Sequence, residues 1–265
     1  MAFIGPPPHR IGRAFRSHTV QQGKVASAVK KSLFALLCAA VLYGLLGSAP
    51  PPARNVPILM YHTSSETRPD SEYPELYVKP SQFELQLKTL KEQGYTFCTF
   101  EDMQDFGDIP KPVLITFDDG YEANYREIFP ILKAHDAKIT LFLFAWSSGL
   151  APEMIREMSD SGLVKFEAHT LSHPNLRSVS AERLDRELRV SKTYIEELTG
   201  KPVVALSYPY GEFNGRVKEY TEKYYQYGVR RDGGVHNTAR DRYEVRRIRV
   251  GRSTGIKAFV SSLEG

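Results

Sequence analysis

The chain has 265 residues, of which 42% are hydrophobic and 25% charged, with a formal net charge of +4; it is long enough to bury a sizeable core, and one globular domain is the default. Six of its 35 basic residues (Arg10, Arg13, Arg16, Lys24, Lys30 and Lys31) lie in the first 31 positions, which hold no Asp or Glu, so that without them 29 basic residues face 31 acidic ones. The basicity therefore belongs to the tail, and the folded part has no electrostatic support for binding DNA or RNA.

After the cytoplasmic-type basic tail, 1–31, the run 32–49 is uncharged, a length at the short end for a bilayer span. The basic flank precedes it, so the positive-inside rule puts the tail in the cytoplasm and everything after Ala49 outside the cytoplasmic membrane. Gly47-Ser48-Ala49 has the small residues that signal peptidase accepts. Pro50 just beyond the cut, and the length of the basic region, favour a retained signal anchor over a cleaved, secreted form. Residues 50–55 begin with three prolines and read as a short stiff linker. The two cysteines, Cys38 in the apolar run and Cys98 beside Phe97 and Phe100, make neither a disulfide framework nor a metal cluster.

From Val56 to the end, the period changes repeatedly. Residues 58–61 read as a short buried strand. Ser81 and Glu84 have the spacing of a capping box, opening a helix with Phe83, Leu87 and Leu90 on its apolar face and Gly94 at its stop. A core strand follows at 113–117, then a helix marked by Tyr125, Ile128, Phe129 and Leu132, and a strand at 139–144. Pro152 opens a helix, 164–168 is extended, and Leu184, Leu188, Ile195 and Leu198 mark a long helix ending at Gly200. Strands at 203–207, 227–229 and 245–250 alternate with helices carrying Val217, Tyr220 and Tyr224, and then Phe259 and Leu263. This α/β alternation, about seven strands with helices between them, predicts a parallel sheet closed as a barrel.

Chemistry in such folds gathers where strands end. Four polar clusters fall at those points: Tyr61-His62, Asp118-Asp119-Gly120, His169 to His173, and Tyr208-Pro209-Tyr210-Gly211. Two adjacent carboxylates at the end of an apolar strand repel one another and lose solvation. A bound cation would neutralise one and leave the other free as a base. His169 and His173 are spaced i, i+4, which on a helical turn would bring both imidazoles to one side. With one carboxylate they make a two-His, one-Asp set with positions left open for water and substrate.

Three runs, Thr116-Phe117-Asp118-Asp119-Gly120-Tyr121, His169-Thr170-Leu171-Ser172-His173-Pro174 and Tyr208-Pro209-Tyr210-Gly211, resemble the successive motifs of NodB-type polysaccharide deacetylases, carbohydrate esterase family 4. The likeness runs over 56–265, with its core at about 112–265. It implies a distorted (β/α)7 barrel that removes N-acetyl groups from an extracellular amino-sugar polymer (poly-N-acetylglucosamine, peptidoglycan or a chitin-like glycan) and releases acetate. It also implies that Asp119, His169 and His173 bind a divalent ion, Zn²⁺ or in its place Co²⁺ or Ni²⁺. Asp118 would be the base that takes a proton from the attacking water, and the backbone N–H of Tyr210 would help the ion to hold the oxyanion.

Two positions depart from the common pattern. Many members carry an Arg in the third motif that orients the base, where this chain has Ser207. The late histidine that serves many members as general acid is also missing, the only histidine after His173 being His236. The opening Ile58-Leu59-Met60-Tyr61-His62 instead resembles the subgroup acting on poly-N-acetylglucosamine, in which an early His can be the acid, so His62 is the acid candidate. His135, beside Asp136, reads as a cap on a helix dipole. Trp146, Tyr121, Tyr208 and Tyr210 suit either sugar stacking or packing, and 246–249, rich in Arg, either solvated charge or acidic partners. The competing functions are a metal-dependent amidase for a small amide and a non-catalytic glycan-binding relative; intact Asp118, Asp119, His169 and His173 oppose the latter.

Overall fold

A computed structural model describes residues 52–146 and 149–264, with 1, 2 and 5 besides. The basic tail and the apolar run 32–49 therefore lie outside the described residues, among which no helix is long and apolar enough to cross a membrane. The unit Pro51–Gly265 is built on parallel strands β1 (Ile58–Tyr61), β2 (Thr96–Cys98), β3 (Pro112–Asp119), β4 (Ile139–Leu143), β5 (Val164–Ala168), β6 (Ala205–Ser207), β7 (Tyr227–Gly233) and β8 (Val245–Arg249). The spatial order is β1-β8-β7-β6-β5-β4-β3, and β3 pairs back with β1, Ile58 opposite Leu114 and Tyr61 opposite Phe117, so seven strands close a ring. All the strands expected from the sequence are in this ring. The additional β2 pairs with the first half of β3, Cys98 opposite Leu114; three residues are too few to display a period.

Around the ring lie α1 (Pro80–Glu92), α2 (Phe129–His135), α3 (Pro152–Asp160), α4 (Ala181–Thr199), α5 (Gly215–Tyr224) and α6 (Ile256–Ser262). The capping box expected at Ser81 and Glu84 is not formed. The N-cap falls two residues earlier, at Lys79, and the helix opens on Pro80, where a missing N–H and a preset φ suit the first turn. Ser81 Oγ instead donates to Glu66 at 2.8 Å, and Glu84 pairs with Lys88 and with His135 Nε2, at 2.8 and 2.9 Å. At α4 the sequence signals hold: Ser180 Oγ accepts from Arg183 N–H, and Gly200, with φ 66°, ends the helix in the left-handed region.

Strand alternation sorts the core into two layers. Leu59, Tyr61, Ile115, Phe117, Leu141 and Phe166 pack outward against Phe83, Leu87, Leu132 and Leu188 of the helices. Ile58, Leu114, Phe142, Ala205, Val229 and Val245 form a separate apolar cluster to which none of the helices α1 to α6 contributes, the filling of the barrel. Tyr61 stacks on Phe117 at 5.1 Å, and Phe83 meets both rings edge-on at 5.4 Å. Removing the Phe83 ring would cost about 3–5 kcal/mol. Tyr61 Oη also donates to Gln86 at 2.8 Å, so the end of β1 is held in place where His62 leaves it. At the other end of β1, Asn55–Val56 pairs antiparallel with His236–Asn237. That puts His236, buried and with its imidazole pKa lowered to about 4 by burial and by Arg240 and Arg246, at the opposite end of β1 from His62.

Candidate active site

Above the apolar filling, the inward positions of the strands turn polar: Thr116 and Asp118 on β3, Glu167 on β5, Ser207 on β6 and Arg247 on β8, all buried. Asp118 is held by Arg247, which donates to both carboxylate oxygens at 2.7 Å, while Ser207 Oγ donates at 3.3 Å. Arg247 is itself tied to Thr116 Oγ1 and Ser207 Oγ, each at 3.0 Å, and its Nε donates to Arg230 O at 2.9 Å. Burial pushes the Asp118 carboxyl upward, but the charge and bonds of Arg247, with His169 and His62 nearby, outweigh it and hold the group far below the usual carboxylate range. Asp118 is thus a buried anion at any ordinary pH.

The next residue is the last of β3, and there the backbone turns. Asp119 (φ 76°) and Gly120 (φ 77°) are both left-handed, a conformation that Asp tolerates better than most residues and Gly freely. Asp119 Oδ1 then lies 3.4 Å from His169 Nε2 and 3.6 Å from His173 Nε2, and the two imidazole nitrogens are 3.1 Å apart. One ligand atom from each residue falls within 4.8 Å of the others.

The two histidines do not converge on a helical turn, as their spacing suggests. They flank a bend outside any helix, in which Thr170 (φ 71°) and His173 (φ 56°) are left-handed and His173 N–H donates to Thr170 Oγ1 at 3.0 Å. Glu187 of α4 braces the bend, its carboxylate accepting from Leu171 N–H at 3.1 Å, Ser172 N–H at 2.9 Å and Ser172 Oγ at 2.6 Å. His169 Nδ1 lies 2.7 Å from Ser207 O. A carbonyl can only accept, so Nδ1 carries the proton and Nε2 presents its lone pair to the cluster. Burial, then the neighbouring His169, lowers His173 to about 4, which leaves that ring neutral at pH 7. Two imidazoles and a carboxylate crowded at these distances are a donor set that fits a divalent cation of the Zn²⁺, Co²⁺ or Ni²⁺ type.

His62 emerges from β1 with its carbonyl accepting from Asn124 Nδ2 at 3.0 Å. Burial lowers its pKa, while Asp118 and Asp119 push it the other way, so its ring shares the field of the carboxylate pair. Tyr210 is left-handed (φ 62°), exposed, and edge-on to the His173 ring at 4.8 Å. Asp119, His169 and His173 thus cluster beside Asp118 on the strand rim, with Tyr210 against the His173 ring and His62 within the field of the two carboxylates. Tyr208 does not line it: the ring is buried and stacks on Phe213 at 4.9 Å, its Oη donates to Tyr243 O, and Gly228 leaves the room for it. Sequence reasoning missed the roles of Arg247 and Glu187. His135, at the end of α2, is paired with Glu84 and takes no part.

Residues 107–229 match the profile of the polysaccharide deacetylase family. The Bacillus subtilis protein YxkH, a polysaccharide deacetylase by name, is 32% identical over 219 residues, 79% of this chain and 76% of that protein. The poly-β-1,6-N-acetyl-D-glucosamine N-deacetylase of Staphylococcus aureus is 32% identical over 158 residues, 52% of this chain, which spans only 54% of that enzyme. Among solved structures, the Streptococcus pyogenes deacetylase PplD in complex with acetate matches with a TM-score of 0.75 and 27% identity, over 81% of this chain and 100% of that one. A polysaccharide deacetylase from Bacillus cereus also matches with a TM-score of 0.75, at 31% identity over 80% of this chain and 69% of the other.

Proposed function

The chain belongs to the polysaccharide deacetylase family, hydrolases of amide bonds, and from this we propose that it removes N-acetyl groups, with a divalent ion, from an amino-sugar polymer outside the cytoplasmic membrane. The observation that carries the reading is the meeting of Asp119, His169 and His173 within 4.8 Å beside the buried, Arg247-paired Asp118. Asp119, His169 and His173 would hold the ion, which when bound supplies Lewis-acid polarisation of the acetyl carbonyl and acidifies a water. Asp118, ionised and oriented by Arg247 and Ser207, is the base that removes a proton from the attacking water. The Tyr210 N–H stabilises the oxyanion as charge develops on it. His62 delivers a proton to the departing nitrogen, because an amide anion is far too basic to leave unprotonated.

The polymer class is supported by the staphylococcal relative, whose name specifies poly-β-1,6-N-acetyl-D-glucosamine. The location is supported by the basic flank and the apolar run 32–49. The test is acetate release by the full-length chain in detergent from poly-β-1,6-N-acetylglucosamine, chitin oligomers and peptidoglycan, with chelator and after adding back Zn²⁺. Release from at least one polymer, abolished by chelator and restored by the ion, is expected; full turnover in excess chelator refutes the ion's role, and release from none refutes the reaction.

A further inference from the structure

The bend that joins His169 to His173 has an outer side, and a cavity of about 360 Å³ opens there, lined by Trp146, Leu171, Ser172, Arg183, Arg186 and Glu187, at the lower end of the range for small-molecule sites. Leu171 and Ser172 stand between the two histidines, so the cavity and the candidate metal centre share a wall. The backbone of Trp146 is fixed to that wall, its main-chain N–H donating to Leu171 O at 3.0 Å and that of the preceding Ala145 to Thr170 O at 3.2 Å. Even so, 65% of Trp146 is exposed. The Arg186 guanidinium lies 5.9 Å from the centre of the indole, close enough to orient the ring.

Charge narrows the occupant. Arg183 and Arg186 face the cavity together with Glu182 and Glu187, so it carries no net charge. Glu187 is already taken up by Leu171, Ser172 and an ion pair with Arg183 at 3.5 Å. Neither an anion nor a free ammonium gains from such a lining. An indole plate bordered by guanidinium N–H donors and a carboxylate acceptor matches a neutral pyranose, whose C–H face is apolar and whose rim carries hydroxyl and acetamide groups. We propose that this cavity is a sugar subsite that binds a neutral, still N-acetylated unit of the same polymer, neighbouring the unit whose acetyl group is removed. Its reaction partner rests on the deacetylase reading; its binding chemistry rests on the cavity alone.

Trp146 is the only tryptophan in the sequence, so its fluorescence reports this one place. The full-length chain in detergent is titrated with N-acetylglucosamine, with its β-1,6-linked tetramer and with the fully deacetylated tetramer. A saturable change in emission is expected with the acetylated tetramer, at concentrations at least tenfold below those needed for the other two. Trp146→Ala should lower kcat/KM on the acetylated tetramer about tenfold through KM, Trp146→Phe by less than threefold, and neither should alter turnover of an aryl acetate. Acetate release from the tetramer with no change in emission overturns the subsite, as does an equal loss on aryl acetate and tetramer in Trp146→Ala. A saturable emission change without any acetate release upholds the subsite and refutes the deacetylase reading instead.

Discussion

Replacing Arg247 with methionine tests whether the buried pair with Asp118 is what sets the base. Two bonds of 2.7 Å join the side chains, which are only 1% and 4% exposed. A buried carboxylate stripped of its partner destabilises a protein by about 3–5 kcal/mol, a large part of the ~5–15 kcal/mol that holds a typical domain together. Methionine replaces most of the arginine stem, so little of that loss comes from a cavity. The pH dependence identifies its origin. In the wild type the folded pKa of Asp118 is depressed below the ordinary 3.8, so its contribution is fully present above that value and is lost only as the pH falls toward the folded one. Without Arg247, burial becomes the larger influence and the sign reverses. The folded pKa then lies above the unfolded one, and the penalty on the variant is relieved as the pH falls through it. The gap in stability between wild type and Arg247→Met should therefore be widest at pH 8 and clearly narrower at pH 5. Urea midpoints followed by circular dichroism on the chelated full-length chain measure it. An equal gap at both pH values, or one below about 1 kcal/mol at pH 8, would refute the electrostatic account of the pair.

His169→Ala should weaken Zn²⁺ binding at least tenfold, whereas Asp118→Asn should keep the ion and lose turnover by about 10²–10⁴; metal analysis beside acetate release separates the two, and equal metal loss in both refutes the division of roles. His62→Ala should cut turnover of N-acetyl glycans by a similar factor with ion content unchanged, and should affect activated aryl acetates much less, since their leaving groups need no proton. Glu167, buried within the barrel, has a carboxyl pushed up to about 8 by burial, against the bonds it accepts from Ala205 and Val204 N–H. A raised folded pKa means stability that is complete below the unfolded value of about 4.5 and is lost as the pH rises through about 8. Glu167→Gln should accordingly gain on the wild type by up to about 1.4 kcal/mol per pH unit across that window, and a gap that does not change with pH in urea melts would contradict it.

The barrel is legible because its strands are short, rich in apolar residues and separated by helices of a different period. The four rim clusters follow from it, since each begins where an apolar strand ends. The conformation of the histidine bend is not legible in the same way. The spacing of His169 and His173 fits a helical turn, and nothing in Thr-Leu-Ser announces that Thr170 and His173 take up φ of 71° and 56°. What holds those angles is distant in sequence: the Glu187 carboxylate on α4 satisfies two amides of the bend. The capping box fails for a related reason. Ser81 and Glu84 have the right spacing, but Glu66 and Lys88 compete for them, and Pro80 starts the helix without a side-chain cap.

Arg247 is the most instructive omission, because its bond to Asp118 spans 129 positions. In Arg246-Arg247-Ile248-Arg249 the alternation is visible, but which arginine turns inward depends on register. Pairing of Ile248 with Leu59 on β1 sets it: Ile248 packs with the outer core and Arg247 turns into the barrel. A physical clue was still present. Ser207 stands where an orienting arginine is common, yet an aspartate buried this deeply cannot stay ionised beside a hydroxyl alone. A cation had to come from another inward position close to β3, and on β8, one strand away across β1, Arg247 is the buried arginine that reaches it. With the cation supplied from β8, Asp118 has a charge partner and two bonds where Ser207 offers only a hydroxyl, so a motif read strand by strand misses a partner that the closed barrel supplies.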